Sequence, residues 1–293
     1  MTPELLDCIS LRVPAAAMES FEAALSSVCR AVSFYHDEDL DEWDIQGVKE
    51  RGAHEDELAS AIFVAELVTG IKPEIARSLV PVAGWLARTQ QAFPEQFIGE
   101  TFVVRGTHIS DPPVPGRITL TLDAGLAFGT GEHNSTRGCL VALERLAKYH
   151  HPARILDLGT GSGILAIAAA KTLHQPVLAS DIDFRAARVA NANAKLNGVA
   201  GLVQAIRADG WVDKKITRHA PFDLVFANIL ARPLCAMAHQ LGTKLAPNGV
   251  AILAGLLNTQ VNWVLSAHRR AGLRLEHRIT DGAWSILTLR KPG

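Results

Sequence analysis

The chain has 293 residues, of which 48% are hydrophobic and 20% charged, with a formal net charge of −1. That length favours two domains and supplies apolar mass for a sizeable core in the larger one. The near-neutral charge gives no general electrostatic pull toward nucleic acid: the longest basic clusters are Lys214-Lys215 with Arg218, and Arg269-Arg270, which read as solvated surface.

Cys8, Cys29, Cys139 and Cys235 form no Cys-x-x-Cys pair, so neither a zinc site nor a disulfide framework is expected, and no metal is. The N-terminus carries Glu4 and Asp7 and has no basic segment before an apolar core, unlike a secretory signal. No uncharged apolar run approaches the ~18–20 residues of a membrane span. The expectation is a soluble, cytoplasmic protein with no membrane contact, a monomer.

Residues 1–82 predict a small α+β domain. A strand spans 5–13, and Pro14 opens a helix to about residue 28 with Phe21, Leu25 and Val28 at helical spacing. A strand over 32–35, an acidic turn over 37–42, a strand over 43–49 and a helix over 55–68 stopped by Gly70 follow. With room for a last strand before Gly84, the order is that of a ferredoxin-like fold. Residues 83–99 read as a linker helix with Trp85, Leu86 and Phe93 as contacts. The second domain is 100–293. It begins with strands over 102–105 and 118–123, joined by a loop rich in turn formers over 110–116. Strands near 153–158, 177–182, 203–208, 222–228 and 249–256 then alternate with helices near 162–173, 184–197, 231–245 and 260–271, the signature of a parallel α/β sheet. Strands over 273–279 and 284–290 have no helix between them, so they add an antiparallel edge.

Ile155-Leu-Asp-Leu-Gly-Thr-Gly-Ser-Gly-Ile-Leu165 is a buried strand, three glycines at alternate positions, and the first turn of a helix. Such a bend brings bare backbone to a ligand at a helix N-terminus. It is not the dinucleotide fingerprint G-x-G-x-x-G, because position 164 is Ile, and no Lys-Ser/Thr follows as in a phosphate loop. Asp181 ends the next strand, 22 residues after Gly159. A carboxylate there can accept from both ribose hydroxyls, which suits NAD and S-adenosylmethionine alike. The lack of Lys or Arg in the glycine bend favours a sulfonium ligand over a diphosphate. Asp183 is assigned to capping the helix from about Phe184. Asp209 either meets the adenine amino group or only makes a turn.

Asn228 ends the run Phe222-Asp-Leu-Val-Phe-Ala-Asn228, which places it at the carboxyl end of a central strand, where open α/β sheets bind ligands. Its amide oxygen and neighbouring carbonyls can hold an incoming amine with its lone pair aimed at a methyl group. The competing role is a cap for the following helix. Ala127-Phe-Gly-Thr-Gly-Glu-His-Asn-Ser-Thr136 is too rich in small residues for a simple cap and reads as a loop over a ligand. His133 in it is left out of catalysis.

In this order, Leu122-Asp-Ala-Gly-Leu-Ala-Phe-Gly-Thr-Gly131, the glycine bend, Ser180-Asp-Ile-Asp183, Ala227-Asn-Ile-Leu-Ala231 and Ala254-Gly255 resemble the ribosomal protein L11 methyltransferase family. The resemblance covers nearly the whole chain. It implies a Rossmann-like seven-stranded methyltransferase sheet with the small N-terminal domain recognising the substrate. It implies S-adenosyl-L-methionine as cofactor, held at Thr136, Gly159, Asp181 and Asn228; the glycine bend adds Gly161 to the cofactor contacts, and the strand-end position of Asn228 makes it the catalytic residue on the acceptor side. It implies transfer to lysine side chains and the N-terminal amine of a large-subunit ribosomal protein, free or on the ribosome, without sequence-specific nucleic-acid binding. The chain reads Gly131-Glu-His-Asn-Ser-Thr136 where the commoner form is Gly-Thr-His-Pro-Thr-Thr; the last threonine is kept. The alternatives are a methyltransferase acting on another protein, RNA or a small molecule, and an NAD-dependent oxidoreductase.

Overall fold

The computed structural model describes residues 5–37, 42–81, 95–122 and 134–293. The chain divides into two units, Met1–Ala92 and Phe93–Gly293.

Unit 1 runs β1 (Leu5–Pro14), α1 (Met18–Ser26), β2 (Ala31–Asp37), β3 (Glu42–Glu50), α2 (Glu55–Thr69) and β4 (Ile75–Pro81). The sheet order β2-β3-β1-β4, with every neighbouring pair antiparallel, is the ferredoxin-like arrangement. Alternate β1 residues Ile9, Leu11 and Val13 are buried with Phe21 and Leu25 of α1 and Leu58 of α2. The Lys49 side chain is 1% exposed. A buried ammonium needs partners, and Lys49 donates to the Ala53 carbonyl (2.7 Å), to Asp7 (3.2 Å) and to Glu55. The acidic turn expected over 37–42 falls largely outside the described residues.

Unit 2 opens with a three-stranded sheet of β5 (Gln96–Ile98), β6 (Phe102–Gly106) and β7 (Ile118–Leu122). β5 corrects the linker helix expected over 83–99, whose residues up to 94 lie outside those described. Gln96–Ile98 pairs with 102–104 across a turn at Gly99 (φ +58°). The buried Glu144 carboxylate holds that turn, accepting from the Glu100 and Thr101 amides at 3.1 and 3.3 Å.

The main sheet comprises β8 (Ile155–Leu158), β9 (Val177–Asp181), β10 (Val203–Arg207), β11 (Phe222–Asn228), β12 (Leu245–Leu257), β13 (Arg274–Asp281) and β14 (Trp284–Arg290). Its order is β10-β9-β8-β11-β12-β14-β13. β8 to β12 run parallel, and β14 is antiparallel to both β12 and β13. The helices are α3 (Asn134–Ala147), α4 (Ile164–Leu173), α5 (Phe184–Leu196), α6 (Lys214–His219), α7 (Ala231–Ala236), α8 (Ala238–Lys244) and α9 (Val261–Arg270). Helices on both faces explain the continuous apolar strands. Leu224 and Phe226 of β11 join the core under α3–α5, and Val225 and Ala227 join the core under α7 and α9.

Two further expectations change. The single helix over 231–245 is α7 and α8, divided at Met237, whose φ and ψ of −94° and 2° leave the helical range. β12 begins at Leu245 rather than near 249, because Pro247-Asn248-Gly249, a turn by composition, is absorbed in an irregular pairing with β11. No helix among the described residues is long and apolar enough to cross a membrane.

Candidate functional site

The strand order reverses at β8, whose neighbours β9 and β11 are followed by helices on opposite faces. Ligands of doubly wound sheets enter at such a switch point, outside the strands' carboxyl ends. There the structure brings together the glycine bend after β8, Asp181 ending β9, Asn228 ending β11, and Thr136 in the first turn of α3.

Gly159, Gly161 and Gly163 have φ of +74°, +53° and +85°, a region that side chains disfavour. A Cβ on Gly159 would lie 2.4 Å from Ile229 Cγ2, and one on Gly163 would lie 2.9 Å from Ala190 Cβ in α5. The first glycine thus admits the segment after Asn228 and the third lets α4 pack on α5. The Gly159 and Thr160 amides donate to the Ser180 carbonyl at 2.8 and 2.9 Å, tying the bend to β9.

Asp181 accepts from the Gly161 amide through Oδ2 (2.9 Å) and from the Asp183 amide through Oδ1 (3.0 Å). Each oxygen keeps a further lone pair. Asp183 caps α5, accepting from the Arg185 amide at 2.8 Å, as the sequence led us to expect. Asp209 is exposed at the end of β10 and its side chain caps nothing. Ile182 and Phe184, beside Asp181, are exposed apolar side chains (65% and 56%).

Asp157 was given no role by sequence. Its Oδ2 accepts from Thr160 Oγ1 (2.6 Å) and the Ala166 amide (3.1 Å), while Oδ1 is buried without a partner among the described residues. Burial pushes its carboxyl up to about 6 from 3.8. The available signal was a carboxylate inside the apolar strand Ile-Leu-Asp-Leu.

Asn228 Nδ2 donates to Thr136 Oγ1 at 3.1 Å, and Thr136 is fully buried. Asn228 Oδ1 is buried and has no partner among the described residues. Beside it in register is Ala254, followed by Gly255 at φ +79°. A Cβ on Gly255 would sit 2.5 Å from the Ile229 carbonyl oxygen, so the bend after Asn228 needs this glycine. The Phe-Gly-Thr-Gly segment and His133 lie outside the described residues.

The architecture is the Rossmann-like fold of the class I methyltransferases. The family model described as ribosomal protein L11 methyltransferase (PrmA) matches residues 9–292. A ribosomal protein L11 methyltransferase of Bradyrhizobium diazoefficiens is 50% identical over 193 residues, covering 66% of this chain and 65% of that protein. One of Rhodopseudomonas palustris is 46% identical over 190 residues, 65% of this chain and 64% of that protein. The chain thus spans just under two thirds of the length of these two relatives. The crystal structure of a ribosomal protein L11 methylase from Lactobacillus delbrueckii subsp. bulgaricus superposes with a TM-score of 0.63 at 29% identity, covering 69% of this chain and all of that one. The chain belongs to the ribosomal protein L11 methyltransferase family.

Proposed function

We propose that the protein transfers methyl groups from S-adenosylmethionine to lysine side-chain and N-terminal amines of ribosomal protein L11. The observation that carries this reading is Asn228 Oδ1, a buried acceptor without a partner among the described residues, at the carboxyl end of β11 in the same crevice as the glycine bend. A buried polar atom left unpaired costs about 1–3 kcal/mol, so it marks a group awaiting a donor. An amine N–H supplies one.

The residues present fit the cofactor. The backbone of Gly159 and Gly161 leaves room for close approach, Asp181 keeps free lone pairs for ribose hydroxyls, and the exposed Ile182 offers an apolar surface to a base. Thr136 and Asn228 close the opposite side. When bound, the cofactor supplies an electrophilic methyl group on a sulfonium.

The protein's part is alignment and control of one proton. A lysine amine with a pKa of ~10.4 is charged at neutral pH and does not attack. A dry pocket beside a fixed positive charge lowers that value, and the proton leaves to water. Asn228 Oδ1 and neighbouring carbonyls then hold the neutral amine in line with the methyl group. Such positioning supplies up to about 7–11 kcal/mol in ideal cases. Residues 1–82 serve as the substrate-recognition domain. In support, Phe63, Val64, Leu67 and Val68 form an exposed apolar strip along α2.

The test is incubation of the protein with methyl-labelled S-adenosylmethionine and either free L11 or whole ribosomes, followed by mass spectrometry. Label on lysine and N-terminal nitrogens of L11 is expected, and Asn228→Ala should lower kcat by roughly a hundredfold. Label elsewhere, or wild-type kcat in that variant, defeats the assignment.

A further inference from the structure

α3 leads from the crevice to a second charged region. Arg145 lies nine residues beyond Thr136, about 14 Å along the axis. The helix then ends in the exposed turn Lys148-Tyr149-His150-His151. Arg290, the last residue of β14, pairs with Val250, whereas Ala254, further along the same strand, pairs with Asn228. This region is therefore at the opposite end of the sheet from the crevice.

The basic side chains there cluster on one another. Arg290 donates from Nη2 to His150 Nε2 at 2.9 Å and from Nη1 to the Asn248 carbonyl at 2.9 Å, Arg145 donates from Nη1 to His277 Nε2, and Arg274 faces Arg290 directly across the β13–β14 register. Like charges opposite each other in an antiparallel pair destabilise it. The carboxylates facing the region are few. Glu276 accepts from Arg290 at 2.8 and 3.0 Å. Asp223 is held by the Ala153 and Arg154 amides and lies 3.8 Å from the Arg154 guanidinium. Glu100 is 3.9 Å from Lys148. Among the described residues, Arg145 and Arg274 have no carboxylate partner. An anion seated here would pair with Arg145 and Arg274 and offset the one like-charge juxtaposition, Arg274 opposite Arg290.

Tyr149 indicates which anion. It is 81% exposed, on a turn fixed by bonds from the Tyr149 and His150 amides to the Leu146 carbonyl at 3.0 and 2.9 Å. An open ring on a rigid turn beside cations is the combination that binds single strands, with phosphates on the cations and a base on the ring. A carboxylate-rich peptide would use the cations and leave the ring idle.

We propose that this end of unit 2 binds single-stranded RNA without sequence preference, with phosphates on Arg145, Lys148, Arg274 and Arg290 and a base stacked on Tyr149. The test is fluorescence anisotropy of the full chain with a labelled RNA of about 16 nucleotides, titrated across about 50–300 mM KCl. Four phosphate contacts predict a slope of log affinity against log salt of about −3. The Arg145→Gln/Arg274→Gln double variant should halve that slope, and Tyr149→Ala should weaken binding about tenfold at unchanged slope. Unlabelled RNA should compete and polyglutamate of equal charge should not. Both variants change exposed side chains and should keep wild-type circular dichroism and methyl transfer to a free protein substrate. No binding at low salt, an unchanged slope in the double variant, wild-type affinity in Tyr149→Ala, or equal competition by polyglutamate would each overturn the proposal.

Discussion

Asp157→Asn should make the ligand-free protein more stable at neutral pH. The carboxyl is 1% exposed, and one of its oxygens has no partner among the described residues. Holding it at about 6 rather than 3.8 corresponds to about 3 kcal/mol against the charged form. The sign follows from linkage. A carboxyl whose folded pKa is raised favours the native state below about 4, and that contribution is lost as pH rises through about 6. Asparagine carries no charge to bury, but it cannot serve Thr160 and the Ala166 amide as well as a carboxylate does, a loss of about 1 kcal/mol. The net gain at pH 7.5 is about 2 kcal/mol, or roughly 4–8 °C for a unit of this size. Scanning calorimetry of both proteins from pH 4 to 8 without cofactor reads it directly. The gap should be wide at pH 7.5 and close toward pH 4. A variant that is no more stable at pH 7.5, or whose gain does not vary with pH, refutes the reasoning. Chains retain an unfavourable buried charge where it meets a ligand, so the stabilised variant should also bind S-adenosylmethionine more weakly.

Asp181→Ala should weaken S-adenosylmethionine binding by roughly 1.5–3 kcal/mol, about tenfold to more than a hundredfold, as measured by calorimetry. It removes the proposed ribose acceptor and also frees the Gly161 and Asp183 amides, so an unchanged Kd counts against both roles. His268 is 1% exposed, and burial holds its pKa below the ordinary 6.5. The unfolded chain therefore takes up a proton that the native state refuses as pH falls below about 6.5. His268→Gln should flatten the acid side of the stability curve, and Tm at pH 7.5 and 5.5 compared with wild type tests this.

What could be read from sequence was local. Phe222–Asn228 was legible because a strand buried on both faces is an unbroken apolar run. Asn197-Gly198 stopped α5, and Asp183 capped it through a neighbour two residues away. What escaped depends on partners distant in the chain. Gln96–Ile98 is too short to show a period and is a strand only because 102–104 pairs with it. Pro247-Asn248-Gly249 signals a turn, and it stays within β12 through β11 pairing on either side of it and Lys291 exchanging backbone bonds with Asn248 and Gly249. Asp157 looked like one more residue before a glycine bend, because its raised pKa comes from the layers packed over it. The Asn228 amide could be placed at a strand end, but not oriented, since its partner Thr136 is 92 residues away.

That partner bears the sharpest distinction left at the site. The family resemblance makes Thr136 a cofactor contact, whereas the structure has its hydroxyl accepting from Asn228 Nδ2, which leaves Oδ1 available to the amine of the proposed reaction. Thr136→Val preserves shape and removes the hydroxyl, freeing the amide to turn its NH2 toward the incoming nitrogen, where two donors meet. If Thr136 acts through Asn228, kcat should fall about tenfold, the equivalent of one oriented hydrogen bond, while KM for S-adenosylmethionine changes little. Thr136→Ser, which restores the hydroxyl, should recover most of the rate. A valine variant with normal kcat and a raised KM for the cofactor would show instead that the threonine serves the nucleoside side of the crevice, and the amide must then be held by something other than Thr136.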